Sequence, residues 1–382
     1  MRILIDATIA REGGQATYLR NMLPALAQSP GGHVFHVMLS RRYQRKFIAT
    51  MPKGINVIEA DVPWTAAARW SYLQVQVPRL VRRGGFDCFF SLSEISAIAA
   101  PCPRMALVQN PNFYAPLRTF QPLWQRARLL GCRLTREPLA YLTLRRAARC
   151  VCVSEAVRSA MLAALHIAPE KTAVVHYGVS PIFSPGPPAP TGLSVADAGP
   201  YVLTVSSIVH HKNFESLFNA FARLRASCPE SDLRLVVAGA THNRRLTQAL
   251  RRQCERLRIA EQVHFLGRVP PEVLVRLYRR AAVFVLPSYL ETFGLPLAEA
   301  MACGTAVVTS DLPATREVCQ DAARFFAADD VETMVEHLRA VLRQPATRQA
   351  MIAQGLQRAQ CFSWSRAAAA LVKVFEEVAG VE

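Results

Sequence analysis

The sequence has no run of about 18 residues free of both charges and helix breakers, which excludes a bilayer-spanning helix. Its first residues, Met1-Arg-Ile-Leu-Ile-Asp6, reach a carboxylate after three apolar residues, too soon for the apolar core of a secretory signal. A cytoplasmic protein is the expectation. No Cys-x-x-Cys pair occurs to start a zinc site, although there are 10 cysteines. The closest pair, Cys150-Val-Cys152, alternates along a strand beside apolar neighbours, so buried free thiols and no structural metal are predicted. The Gly-x-Gly-x-x-Gly dinucleotide fingerprint is missing, as are short-period repeats and long low-complexity tracts. Carboxylates are scarce: 28 acids face 45 lysines and arginines, a net charge of +17.

What is present is unevenly placed. Residues 1–185 carry 23 basic and 9 acidic side chains, a net of +14, whereas residues 186–382 carry 22 and 19, a net of +3. A basic half can meet nucleic acid, an anionic membrane or an acidic substrate. Nucleic acid is disfavoured, because the basic residues do not interleave with aromatics and no recognition motif occurs. The membrane reading draws on Arg41-Arg42, Arg45-Lys46, Arg82-Arg83 and the segment Leu123–Arg136. There Leu123, Ala127, Leu130 and Leu134 recur at helical spacing beside Trp124, with Arg126, Arg133 and Arg136 on another side. Pro138 is expected to end or kink that helix. A helix with its leucines in the core and its arginines merely solvated fits the same pattern.

Short apolar runs alternate with helix-length amphipathic segments. Arg2–Asp6, Val34–Leu39, Asn56–Glu59, Cys88–Ser91, Met105–Val108 and Cys150–Ser154 read as strands, with helices such as Gln15–Gln28 and Ser71–Arg83 between them. The second half repeats this with Tyr201–Val205, Leu233–Ala238, Val263–Leu266, Val283–Pro287 and Ala306–Thr309, rich in Val and Leu as buried parallel strands are. Helices Glu215–Ser227, Leu246–Leu257 and Glu272–Arg280 separate them. The alternation predicts an α/β fold of two Rossmann-like, doubly wound domains facing across a cleft, at residues 1–180 and 201–362. Between them, Pro181–Gly192 holds five prolines in twelve residues and cannot join a helix or sheet interior, so 181–200 is the linker.

In open α/β sheets ligands bind beyond the carboxyl ends of the strands, so the chemistry is sought in loops that follow strands. Gly13-Gly14 opens a helix after the first strand, where free backbone N–H groups can meet an anion; a plain turn fits as well. Lys212 follows strand Tyr201–Val205 just before a helix. A fixed ammonium there can stabilise a leaving diphosphate without metal, helped by His210 and His211. Glu291 lies in the loop after Val283–Pro287, Gly294 lets that loop turn, and Pro296 suits a first helical turn. Glu299 then stands inside a helix among Leu297, Ala298, Ala300 and Met301, where a carboxylate needs a partner. Ionised, both carboxylates are strong acceptors for sugar hydroxyls.

With these residues in view, the chain resembles the family 4 group of retaining glycosyltransferases with the GT-B-type fold. The most specific match is Glu291-x7-Glu299 followed by Ala300-Met-Ala-Cys-Gly-Thr-Ala-Val-Val, with Glu317 after Pro313-Ala-Thr-Arg. Gly13-Gly14, Val153-Ser-Glu-Ala-Val-Arg158, His176-Tyr-Gly-Val179 and Phe362-Ser-Trp364 extend it over essentially the whole chain. The resemblance implies a nucleotide-sugar donor, with Glu291 on the sugar, Glu299 on the ribose hydroxyls and Lys212 on the diphosphate. Backbone N–H groups of Phe293, Gly294 and Leu295 add contacts, and Arg268 and Val269 face the nucleobase. It implies a final helix, within 363–382, that crosses back to the N-terminal domain. It also implies a glycan or lipid-linked acceptor in cell-surface polysaccharide synthesis, at the inner face of the bacterial cytoplasmic membrane.

Two departures stand out. Ser207 falls where family members often carry an arginine, and His211 or another arginine is the candidate replacement. Gln109, in Val108-Gln-Asn-Pro-Asn112, falls where many carry a histidine; it can hydrogen-bond a donor sugar but takes no proton. A retaining reaction does not need that proton acceptor, since the departing phosphate can serve. No Asp-x-Asp occurs, so metal-independent transfer with no cofactor is predicted. The two departures leave open a second reading, a catalytically weak relative acting as a partner or scaffold.

Overall fold

The computed structural model describes residues 1–10, 13–42, 45–63, 65–110, 123–227, 232–241 and 243–380. These form two compact units. The described parts of Met1–Leu117, Arg126–Gly178 and Ser363–Glu382 make the first, and that of Val179–Phe362 lies in the second.

The elements up to residue 178 are β1 (Arg2–Asp6), α1 (Gly13–Ala27), β2 (Val34–Ser40), α2 (Arg45–Ala49), β3 (Ile55–Ala60), α3 (Ala66–Gly84), β4 (Cys88–Ser91), β5 (Arg104–Val108), α4 (Leu123–Arg146), β6 (Arg149–Cys152), α5 (Glu155–Leu165) and β7 (Thr172–Val174). The strands are all parallel, in the order β3-β2-β1-β4-β5-β6-β7. Successive side chains of a strand face opposite ways, and the neighbours Phe89 and Phe90 show the consequence. Phe89 packs with Leu4, Met38, Val77 and Val81 under α3.

The second unit continues with α6 (Ser194–Asp197), β8 (Tyr201–Val205), α7 (Phe214–Ala226), β9 (Arg234–Ala238), α8 (Arg244–Arg256), β10 (Val263–Gly267), α9 (Pro271–Arg280), β11 (Val283–Leu286), α10 (Leu295–Ala302), β12 (Val307–Ser310), α11 (Pro313–Cys319), β13 (Ala323–Phe326), α12 (Val331–Arg343) and α13 (Pro345–Ala359). Its sheet is again parallel, ordered β10-β9-β8-β11-β12-β13. Phe214, Phe218 and Phe221 of α7 bury against Leu235, Val237, Val285 and Val308 of that sheet.

The last helix, α14 (Trp364–Ala379), belongs to the first unit. Ser363 caps it by accepting from the Arg366 N–H. Phe375 meets Phe90 and Phe35 at ring separations of 5.5 and 6.4 Å, on the sheet face opposite α3. Trp364 enters a buried cluster, 5.7 Å from Tyr18 and stacked on Tyr177 at 5.9 Å. Gly178 is required there, because a Cβ on it would lie 2.1 Å from the Trp364 nitrogen.

The structure bears out the α/β class and the doubly wound sheets. It adds two strands, β7 and β13, that the sequence reading did not find. Pro138 does not end its helix: α4 runs through it to Arg146, just as α1 and α3 run through Pro24 and Pro78. A proline removes one intrahelical bond, and the turns on both sides carry the helix past it. The side chains of Leu123, Trp124, Arg126, Ala127, Arg133, Leu134 and Arg136 lie outside the described ones; Leu130 is exposed.

Candidate functional site

Each sheet reverses its strand order once, between β1 and β4 in the first unit and between β8 and β11 in the second. Loops leaving neighbouring strands in opposite directions open a crevice at such a point. In the second unit, Lys212 follows β8 and Glu291 follows β11. The Lys212 ammonium lies 2.6 Å from Glu291 Oε1, and Ser288 donates its hydroxyl to the same oxygen at 2.7 Å. Both side chains are largely buried, 17% and 8% exposed, so the charges meet where water screens them little. The main-chain N–H of Tyr289 donates to the His211 carbonyl at 2.8 Å, holding the two loops together.

His211 does not supply the cation missing at Ser207. Burial, with the neighbouring Lys212 and His210, lowers its imidazole to about 3, so the ring is neutral near pH 7. Burial also lowers His210, with Glu215 opposing. Ser207 is half-buried in the same loop. Alongside it the chain is packed to contact: a Cβ on Gly239, whose φ is +157°, would lie 1.9 Å from the Ser206 carbonyl oxygen.

Gly294, at φ +83°, begins α10, and Leu295 and Pro296 form its first turn. Phe293 is buried. Glu299 is buried in α10 and accepts from the Tyr278 hydroxyl of α9 at 3.1 Å, the partner its setting demanded. Burial raises its carboxyl to about 8, against the Tyr278 bond, which favours the ionised form. The two carboxylates of the Glu-x7-Glu segment thus have separate partners, one cationic and one phenolic. Arg268 and Val269 follow β10, two strands away from β8. Arg268 is exposed and Val269 half-buried, and Gly267 before them turns the chain at φ +67°.

In the first unit, Gly13 and Gly14 are exposed at the start of α1, Gly13 at φ +65° with open space around it. Gln109 follows β5 and is turned inward. Its amide nitrogen donates to the Leu92 carbonyl at 3.2 Å, and its oxygen accepts from the Tyr177 hydroxyl at 2.5 Å. Each polar end of Gln109 thus has a partner within this unit, and the amide keeps a second N–H and a second lone pair. The main chain here is held by Glu94, which the sequence reading passed over. It is 2% exposed, and its Oε1 accepts the N–H groups of Gln109 and Asn110 at 2.8 and 2.7 Å. Burial raises this carboxyl to about 7, with these two bonds and one from its own N–H opposing.

Comparison with known proteins covers both units. Residues 12–183 match the model of Glycosyltransferase Family 4, and residues 192–358 that of Glycosyl transferases group 1. The O-antigen chain mannosyltransferase B of Escherichia coli is 31% identical over 176 residues, 46% of this chain and 45% of that protein. The phosphatidyl-myo-inositol mannosyltransferase of Mycolicibacterium smegmatis is 34% identical over 172 residues, 44% and 42% of the two. The chain thus spans about half the length of the curated relatives it matches. The crystal structure of Anabaena HepE in complex with UDP and glucose superposes with a TM-score of 0.77 at 16% identity, covering 99% of this chain and 100% of that one, a likeness of fold.

Proposed function

For a chain that belongs to the family 4 glycosyltransferases of the GT-B type, we propose retaining, metal-independent transfer of a hexosyl group from a nucleotide sugar to a glycan or lipid-linked acceptor. The observation that carries this reading is the Lys212–Glu291 pair at the strand-order reversal of the second unit, an ammonium and a carboxylate 2.6 Å apart on two strand-end loops. In transfer, the bond from the anomeric carbon to the diphosphate breaks and one to the acceptor oxygen forms. Negative charge collects on the leaving diphosphate, where Lys212 meets it in place of a metal. The acceptor proton passes to that phosphate, so the inward Gln109 is no obstacle. Glu291 accepts from sugar hydroxyls and Glu299 from the ribose. The two relatives described above are mannosyltransferases by name, one of the O-antigen chain and one of phosphatidyl-myo-inositol, which makes a mannosyl donor the first to try.

A panel of nucleotide sugars is the direct test. A true donor raises the melting temperature by mass action, and its nucleotide is released when acceptor is added. The competing reading of a weakly catalytic partner draws on Ser207 and on the engaged amide of Gln109. It prevails if no nucleotide sugar shifts the melting temperature or is turned over.

The basic half suggests where the acceptor is met. We propose that the first unit docks reversibly on an anionic membrane, at the inner face of the cytoplasmic membrane. Arg41, Arg42, Arg45, Arg82 and Arg83 are exposed on it, and each basic residue near an anionic leaflet contributes about 1 kcal/mol. No described helix is long and apolar enough to cross a membrane. Sedimentation with liposomes is expected to require anionic lipid, to fade with salt and to weaken when Arg82 and Arg83 become Glu. Indifference to anionic vesicles at low salt favours a soluble acceptor.

A further inference from the structure

Asn213 is the residue after Lys212 and the N-cap of α7, yet its side chain does not cap that helix. An N-cap asparagine ordinarily accepts an N–H of the first turn, worth about 1 kcal/mol. Here the amide nitrogen instead donates twice across the fold, to the Pro287 carbonyl after β11 at 3.0 Å and to the Ala328 carbonyl after β13 at 2.8 Å. The residue is 1% exposed and its φ is +56°, in the left-handed region that asparagine tolerates better than other non-glycine residues. Tyr289 makes the reciprocal tie from the loop after β11. Its N–H reaches the His211 carbonyl after β8, and its hydroxyl donates to Asp329 Oδ1 after β13 at 2.7 Å. Three strand-end loops are thereby clasped by two residues flanking the Lys212–Glu291 pair.

We propose that Asn213 is a positioning residue for glycosyl transfer: by fixing the loop after β8 to those after β11 and β13, it holds the Lys212 ammonium where the leaving diphosphate forms. This rests on the proposed role of Lys212. A lysine on a flexible four-carbon stem is a point charge whose placement depends on its backbone. Asn213 serves that backbone while leaving α7 without its side-chain cap. The φ angle by itself does not require asparagine, since a glycine would satisfy it.

The test is a double-mutant cycle on the full chain with steady-state kinetics and melting temperatures. Asn213→Gly keeps the backbone angle and removes both bonds, and is expected to lower kcat about tenfold, with the acceptor KM changed less than about twofold. In a Lys212→Ala background the same change is expected to lower kcat by less than about twofold, because nothing remains to be positioned. Full multiplication of the two losses, or wild-type kcat in Asn213→Gly, overturns the proposal while leaving the role of Lys212 intact. Near-normal turnover of Lys212→Ala alone overturns both. Should Asn213→Gly fail to fold, Tyr289→Phe, which removes the tie to Asp329 together with the hydroxyl's bond to Ser216, enters the same cycle with an expected loss of about threefold. Multiplicative behaviour there, or no loss, counts against the clasp in the same way.

Discussion

Turnover falls by roughly 10²-fold or more when Lys212 is replaced by alanine, the usual result of deleting one stabiliser of transition-state charge. The structure sharpens the expectation. The neighbouring His211 is neutral at working pH, and Ser207 brings no charge, so neither flanking position replaces the lost ammonium. The variant also strands Glu291, which is 8% exposed and keeps only the Ser288 hydroxyl among its described contacts. Stability must therefore be read beside activity, because breaking a buried pair by removing one partner costs about 3–5 kcal/mol in enclosed sites. Activity of the wild-type protein is expected to survive a chelator. Near-normal turnover of Lys212→Ala would place the diphosphate on another cation, and abolition by chelator with rescue by a divalent metal would refute the metal-free reaction.

Nucleotide affinity is expected to fall by about 10- to 100-fold at pH 8 in Glu299→Gln, as hydrogen bonds to an ionised group are worth about 1.5–3 kcal/mol. The pH dependence is the sharper part. Burial holds the Glu299 carboxyl near 8 in the free protein. Ribose hydroxyls that donate to the ionised form must draw off its proton, so binding should release a proton and tighten as pH rises toward 8. Glu299→Gln should show a weaker, pH-flat affinity. Calorimetry in buffers of different ionisation enthalpy reads this directly, and binding without proton release would remove Glu299 from the ribose. The sign for stability follows from the raised value. Below about 4.5 the carboxyl is protonated in both folded and unfolded chains and costs nothing. As pH rises toward 8 the unfolded chain ionises first and the fold loses stability relative to it. The glutamine variant should therefore gain on the wild type across that window.

The central strands of each sheet were legible because they are buried on both faces and spell continuous apolar runs. Tyr201–Val205 and Cys88–Ser91 coincide with the observed strands. One edge strand of each sheet was not: Thr172–Val174 is short and half-buried throughout, and Ala323–Phe326 is half-buried at three of four positions, so neither pattern stands out from a loop. Lys212, Glu291 and Glu299 were legible because they sit in loops or helices where a charge is conspicuous. Glu94, Asn213, Tyr278 and Tyr289 were not, since each acquires its part only from a segment distant in sequence. Asn213 meets carbonyls 74 and 115 residues away, and Tyr278 meets Glu299 21 residues on. His211 was legible as a histidine beside a lysine, but its neutrality depends on burial, which spacing does not convey.

The return of α14 to the first unit bears on the order in which the protein matures. A chain leaving the ribosome ordinarily folds its earlier domain first. Here the first unit cannot close until Ser363–Ala379 has been made, because Trp364 and Phe375 come from the end of the chain to fill places beside Tyr18, Tyr177, Phe35 and Phe90. The second unit takes all of its strands from the stretch Val179–Phe362 and has them in hand earlier. The later-made half is therefore the first able to finish folding. The earlier, strongly basic half waits through its synthesis with an uncovered apolar sheet face, the interval in which chaperones would find it.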